Sequence, residues 1–215
     1  QIDPGPGGSE VASIQVIRST DRGSTWSGAV KVADLLAVGA RDTVTRQPIR
    51  DGSIIPAIAA APNGQMLIAW QDARFSGGTL DGIALSRSVD GGLRWSSPAQ
   101  VNSARSVAAF TPTIRVRADG TIGITYFDLR SDTADPATLP TDLILARSSD
   151  AVAWTEVRLT PTFDLSMAPQ AAGGYFVGDY QGLAASGNVF IPVFVRTTDS
   201  TSNRTDVFAL YARSI

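Results

Sequence analysis

Apolar and polar positions along this chain exchange over short runs of four to eight residues, each bounded by Gly, Pro, Asn or Asp. Residues 121–127 show the pattern: Ile122, Ile124 and Tyr126 share one face of an extended strand, and Gly123, Thr125 and Phe127 share the other. No segment of comparable length carries a helical period. The runs also recur in one order. Residues 54–60, the turn Pro62-Asn63-Gly64, and then 66–70, 82–87 and 99–101 predict four strands of one unit. Residues 113–116, the turn Asp119-Gly120, and then 121–127, 143–147 and 156–159 predict four more. A last unit reads 182–185, the turn Ser186-Gly187-Asn188, 189–195 and 206–213. Two strands, 11–18 and another before residue 35, precede the series.

Self-similarity of this kind points to a repeat architecture. Three units close their third strand with an Arg-Ser-x-Asp sequence, at Arg18 to Asp21, Arg87 to Asp90 and Arg147 to Asp150. Trp26, Trp95 or Trp154 follows, and successive Asp residues lie 69 and 60 residues apart. A further Arg213-Ser214 precedes Ile215. Thirteen short strands in four-strand units predict an all-β fold, a β-propeller of four-stranded antiparallel blades, of which the chain supplies roughly three and a quarter. The units map to a partial blade at 9–35, blades at 52–103 and 108–160, and a last blade at 176–214. The first unit lacks two strands behind a Pro/Gly-rich stretch, and the last lacks its fourth. Upstream sequence, or another chain, is therefore expected to complete the ring and cover its open edge.

Composition narrows the chemistry. With 215 residues, 43% of them hydrophobic, the chain suffices for one packed domain. A net charge of −2 with scattered Lys and Arg leaves no footprint for nucleic acid. The absence of Cys and His removes disulfides, thiolate chemistry, Cys/His zinc sites and any Ser-His-Asp or Cys-His mechanism. Carboxylates, Tyr, Lys, Arg and hydroxyls remain. No apolar run approaches the ~20 residues of a membrane-spanning helix, and Gln1-Ile2-Asp3-Pro4-Gly5 lacks the organisation of a signal peptide.

Ser19-x-Asp21-x-Gly23-x-Thr25-Trp26 and Ser88-x-Asp90-x-Gly92-x-Arg94-Trp95 resemble the Asp box, or bacterial neuraminidase repeat, of sialidases and many other propellers. The third copy, Ser148-x-Asp150, carries Val152 at the Gly place and Trp154 one residue early. Such a turn uses Asp to accept backbone N–H bonds, Gly for a positive φ, and Trp to pack between sheets. The resemblance implies a sialidase-like propeller, with this chain as its C-terminal part and the boxes on the face away from the site. It does not fix the activity, because the motif also occurs in propellers that are not sialidases.

Loops joining second to third strands, and each blade to the next, open on that site face. Two second strands end alike, in Trp70-Gln71-Asp72-Ala73-Arg74 and Tyr126-Phe127-Asp128-Leu129-Arg130, whereas the last unit ends in Phe194-Val195-Arg196. Asp72 and Arg74, like Asp128 and Arg130, are two apart and project to one side. Two readings are open: internal ion pairs, or guanidinium groups that hold a carboxylate or sugar hydroxyls. Tyr180 opens the first strand of the last unit, where sialidases carry a nucleophilic tyrosine, with Gln181-Gly182-Leu183 in place of Ser-x-Leu. Such a nucleophile needs a neighbouring carboxylate. Asp179 adjoins it in sequence but faces the opposite side of an extended segment, and a Tyr buried at the channel mouth is the competing reading. The arginines that hold the substrate carboxylate in sialidases have no match at 53–56 or 110–113, where Arg50 is the nearby cation. Asp128, Asp132, Asp135 and Asp142 share a loop in which calcium is the metal to consider, but their spacing fits no ligand pattern, so no metal or cofactor is assigned.

These features predict a propeller scaffold that binds a carbohydrate or protein ligand at its loop face, within a larger exported or cell-surface bacterial protein. One alternative is an exo-acting glycoside hydrolase with Tyr180 as nucleophile and Arg74, Arg130 or Arg196 on the substrate. Another is a structural subunit whose open blades pair between chains.

Overall fold

The computed structural model describes residues 2–4 and 10–213. Gln1, residues 5–9, Ser214 and Ile215 lie outside the described residues, and with them most of the Pro/Gly-rich stretch and the Ser of the Arg213-Ser214 repeat.

The first sheet holds β1 (Ile2–Pro4), β2 (Glu10–Val16) and β3 (Val30–Asp34), and β4 (Ile49–Arg50) lies in the connector that follows. The second holds β5 (Ala57–Ala60), β6 (Met66–Asp72), β7 (Gly82–Ser88) and β8 (Ala99–Gln100). The third holds β9 (Ala109–Val116), β10 (Ile122–Asp128), β11 (Pro140–Ser148) and β12 (Thr155–Arg158), with β13 (Phe163–Asp164) pairing the start of β11. After β14 (Gln170–Ala171) and β15 (Gly174–Phe176), the last sheet runs β16 (Gly182–Ser186), β17 (Val189–Thr197), β18 (Thr205–Ala209) and β19 (Ala212–Arg213), the last two both pairing β17. Each is an antiparallel up-and-down sheet whose spatial order follows the chain, and four of them in series make part of a β-propeller.

Most strands lie where the period-two pattern predicts, but β5 starts only at Ala57, β9 starts already at Ala109, and the run 206–213 is divided between β18 and β19. The pattern leaves the first sheet without a second strand, yet β1 pairs with β2, Ile2 opposite Ala12. The connectors at 35–56 and 159–181 are also not plain loops. Their pieces β4 and β15 pair in parallel, Tyr175 beside Ile49, which joins segments whose partners no local pattern reveals.

Side-chain alternation on the middle strands explains the stacking. On β10, Ile122, Ile124 and Tyr126 enter a core shared with Leu67, Ala69, Ile83 and Leu85 of the second sheet. On the opposite face, Phe127 joins Phe163 and Phe194 toward the last sheet. On β6, Ile68 and Trp70 meet Ile14 and Ala33 of the first sheet. Each fully buried Leu, Ile or Phe contributes about 1.5–3 kcal/mol relative to exposure, so each middle strand draws stability from two neighbours.

The three Ser-x-Asp turns follow one design. Asp21 Oδ1 accepts the Thr25 N–H at 2.9 Å and Asp21 Oδ2 the Thr25 hydroxyl at 2.6 Å, while Gly23 N donates to Ser19 Oγ at 2.7 Å with φ 90°. Thr25, then Ser19, hold the Asp21 carboxyl down to about 2. The second turn repeats this through Ser88, Asp90 and Gly92. In the shorter third turn Ala151, not Val152, donates to Ser148 Oγ and takes the positive φ, at 61°. Trp95 and Trp154 pack into the cores against the preceding sheets. Trp26 is 60% exposed, since no earlier sheet stands beside it among the described residues. The Arg before each Ser also has a task. Arg18 Nη1 donates to the Gly91 carbonyl at 3.0 Å and Arg87 Nη1 to the Asp150 carbonyl at 3.1 Å, stapling each turn to the next. Arg147 stands in the third place with Nε buried and unbonded.

The close approach of third and last sheets yields a prediction. A Cβ on Gly123 would lie 2.6 Å from the Phe190 ring. Gly123→Ala is expected to lower stability by about 1–3 kcal/mol in urea denaturation. An unchanged midpoint would show that the two sheets separate without cost.

Candidate functional site

The second strands deliver Asp72 and Asp128 to the loop face, and both carboxylates are fully buried. Asp72 accepts Arg74 Nε at 2.8 Å on one oxygen, and Arg74 Nη2 at 2.8 Å and Trp70 Nε1 at 2.7 Å on the other. Arg74 also donates to the Asp34 carbonyl of the first sheet at 2.5 Å. Asp128 pairs with Arg130 in the same way, and Arg130 Nη2 reaches Glu156 at 2.9 Å. Glu156 accepts the Tyr126 hydroxyl at 2.7 Å and both the N–H and hydroxyl of Ser103 at 2.6 Å. Burial acts to raise Glu156, but the bonds from Ser103, Tyr126 and Arg130 outweigh it and leave the carboxyl below its ordinary value. Asp128 moves the other way, because burial outweighs Arg130. Each pair is a clamp at the top of an inter-sheet seam, with both carboxylate oxygens engaged.

Counted from the cross-strand partner of the Arg in each Arg-Ser repeat, Arg196 takes the position of Arg74 and Arg130 in the last sheet, and Phe194 stands where they have Asp72 and Asp128. Its guanidinium lies over the Phe208 ring, 4.6 Å from the centroid, and its Nε is buried and unbonded. Among the described residues it has no ion-pair or hydrogen-bond partner. It lines a cleft of about 430 Å3 with Asp164, Asp199, Thr162, Thr198 and Phe208. An unsatisfied fork of donors, two carboxylates, hydroxyls and an aromatic ring together suit a polyhydroxylated ligand.

A second group forms where β4 and β15 meet. Arg50 grips Asp179 bidentately, Nε to Oδ1 at 2.9 Å and Nη2 to Oδ2 at 2.8 Å, and stacks over Phe176 at 4.5 Å. The contact is tight enough that a Cβ on Gly52 (φ 62°) would overlap the Asp179 carbonyl oxygen. Arg50 holds the Asp179 carboxyl below the usual carboxylate range. The next residue, Tyr180, is 77% exposed, which corrects the reading of a buried ring at the channel mouth. Both oxygens of Asp179 are engaged by Arg50.

Beneath this group Gln71 bridges two buried carboxylates, its Nε2 donating to Asp51 at 2.5 Å and to Asp81 at 3.0 Å. Its Oε1 accepts the Thr111 N–H at 3.1 Å, and the Thr111 hydroxyl donates to the Asp51 carbonyl at 2.8 Å. Thr111 is held at φ 52°, a rare conformation for a β-branched residue. Sequence reasoning passes over Gln71, Asp51 and Asp81, since no local pattern tells a buried carboxylate from a solvated one.

The acidic loop disperses its charges. Asp132 accepts the Thr43 hydroxyl, Asp135 the Ala137 N–H at 2.9 Å, and buried Asp142 pairs with Arg158 and Thr162. Among the described residues no three acidic side chains converge to hold a metal ion.

No family model and no curated protein matches the sequence. Solved structures do resemble the fold. An α-L-arabinofuranosidase of Fusarium graminearum in complex with arabinobiose aligns over 93% of this chain and 54% of its own, with TM-score 0.51 and 15% identity. An endo-arabinase from Bacteroides thetaiotaomicron aligns over 94% and 69%, with TM-score 0.52 and 13% identity. An ulvan lyase bound to -[GlcA(1-4)Rha3S]- aligns over 99% and 52%, with TM-score 0.53 and 9% identity. The chain thus spans about half the length of the first of these and of the lyase.

The Arg50–Asp179 pair predicts a pH response. Because the folded carboxyl lies below its unfolded value of about 3.9, the pair's stabilisation is present above that pH and is lost as pH falls through the lower folded value. Arg50→Gln is expected to raise the Asp179 midpoint in a carboxyl NMR titration, and its stability deficit should start to shrink below about pH 3.9 and close once pH has fallen through the lower folded value. A midpoint that stays put would exclude Arg50 as the cause.

Proposed function

We propose that this chain is part of a carbohydrate-binding propeller in a larger exported or surface protein, with the glycan held on the loop face. The observation that carries the reading is the contrast among three strand-end arginines. Arg74 and Arg130 are consumed in clamps, whereas Arg196 stands unpaired in a cleft with Asp164, Thr198 and the Phe208 ring. Carboxylates accept sugar O–H groups, the guanidinium donates to sugar oxygens, and the aromatic face covers apolar C–H surface. The similar folds of an arabinofuranosidase in complex with arabinobiose and of a lyase bound to a glucuronate-containing glycan support the ligand class. No described helix is long and apolar enough to cross a membrane. Further blades, from this chain's own protein or from another, complete the ring in this reading.

A hydrolytic reading has one observation in its favour: Tyr180 is exposed beside the Arg50–Asp179 pair, at the place where the resemblance to sialidases puts a nucleophile. It lacks a free carboxylate partner, because Asp179 is engaged by Arg50.

Titration of the complete protein with arabino- and glucuronate-containing oligosaccharides tests the first reading. Arg196→Ala should weaken binding roughly tenfold or more without changing the melting temperature. Arg74→Ala should instead strand buried Asp72 and cost on the order of 3–5 kcal/mol of stability. Full glycan affinity in Arg196→Ala would remove the cleft from consideration. For the hydrolytic reading, Tyr180→Phe should abolish turnover of any aryl glycoside the complete protein cleaves, and undiminished turnover would end it.

A further inference from the structure

A second cavity on the loop face carries a different charge. Residues 41–48 fold back on themselves through the Arg41–Pro48 bridge and the Asp42 N–H bond to the Gln47 carbonyl at 2.9 Å. Buried Asp42 accepts the N–H groups of Val44 and Thr45, both at 2.8 Å. Arg46 is bent to φ 62°, a left-handed position uncommon outside Gly, Asn and Asp. The preceding residues are pinned as well: Val38 N and Gly39 N donate to Asp81, and Ala40 N to Asp51. The backbone that carries the two arginines is therefore pinned on both sides.

Arg41 and Arg46 both line a cavity of about 200 Å3 together with Thr43, Thr79, Asp81 and Ser106. Neither guanidinium has an ion-pair or hydrogen-bond partner among the described residues, and the Ser106 hydroxyl is likewise unpaired. The nearby carboxylates are already engaged. Asp81 has its oxygens occupied by Val38, Gly39 and Gln71. Asp132 is bonded to the Thr43 hydroxyl. Arg41 and Arg46 are exposed, and with Ser106 they line one small space where their forked donors match the planar or tetrahedral oxygens of an oxyanion. The volume is below the roughly 300 Å3 of pockets that enclose whole drug-sized ligands, so it suits one charged group and the ring that bears it.

We propose that the Arg41–Arg46 cavity is an oxyanion site, and that its ligand is the carboxylate or sulfate ester of an acidic sugar. The oxyanion rests on the cavity; the sugar rests on the carbohydrate reading above. The test is calorimetric titration of the complete protein at low salt with neutral, uronate-bearing and sulfate-bearing oligosaccharides of equal length, and with inorganic sulfate. An acidic oligosaccharide should bind roughly tenfold or more tightly than the neutral one, and the Arg41→Gln/Arg46→Gln double variant should lose that advantage while keeping neutral binding and melting temperature. Comparison of the uronate and sulfate arms identifies which group is preferred. Neutral binding with no acidic preference, or a preference that survives the double variant, overturns the site and leaves the carbohydrate reading intact. Sulfate binding that depends on the two arginines, with no oligosaccharide bound, supports the oxyanion site and overturns the carbohydrate reading.

Discussion

The middle strands β6 and β10 are buried on both faces, and a sheet built around such a strand cannot stand in water without a neighbour on each side. Leu67 and Ala69 look one way from β6, Ile68 and Trp70 the other, and the same division runs through β10. Stability therefore resides in the seams between sheets more than within any one of them. The polar devices follow from this. Arg18 and Arg87 tie consecutive turns together at one end of the seams, while the Asp72–Arg74 and Asp128–Arg130 clamps close the other.

The clamps also show how a site can be carved from a repeat. A buried carboxylate is costly unless bonded, and in two sheets an Arg side chain and its backbone N–H achieve this, with Trp70 added at Asp72. In the last sheet Phe194 stands in the carboxylate's place, and Arg196 is left without the partner that Arg74 and Arg130 have. The donors left over become available to a ligand. Divergence at one position of a structural repeat thus yields a polar cleft without new secondary structure.

Much of this fold was legible in the sequence because the signals are local: alternation along residues 121–127, turn residues between strands, and the Ser-x-Asp turns with their Trp. The Ala151 register was not, since Val152 occupies the place where a Gly is expected and only the backbone shows which residue takes the positive φ. The matching ends at Asp72 to Arg74 and Asp128 to Arg130 identified the right residues but not their role. Deciding between an internal pair and a ligand contact needs the third partner, Trp70 or Glu156, and the neighbouring sheet. Tyr180 was recognisable as unusual, yet its exposure depends on packing that sequence spacing does not encode. Arg41 and Arg46 gave no signal at all, because their environment is assembled from three connectors distant in sequence.

The parallel pairing of β4 with β15 joins residues 126 apart in sequence and encircles two complete sheets within one closed loop of chain. The equilibrium penalty for so long a loop is modest, since each doubling of length adds only about 0.6 kcal/mol of closure entropy. Its kinetic weight is larger: non-local contacts form after the local ones that bring their partners into reach. Arg50 and Asp179 flank this junction, so this part of the loop face is expected to form late in folding. Until the two intervening sheets have docked, the molecule has seams but no closed clasp, and Tyr180 has no defined place.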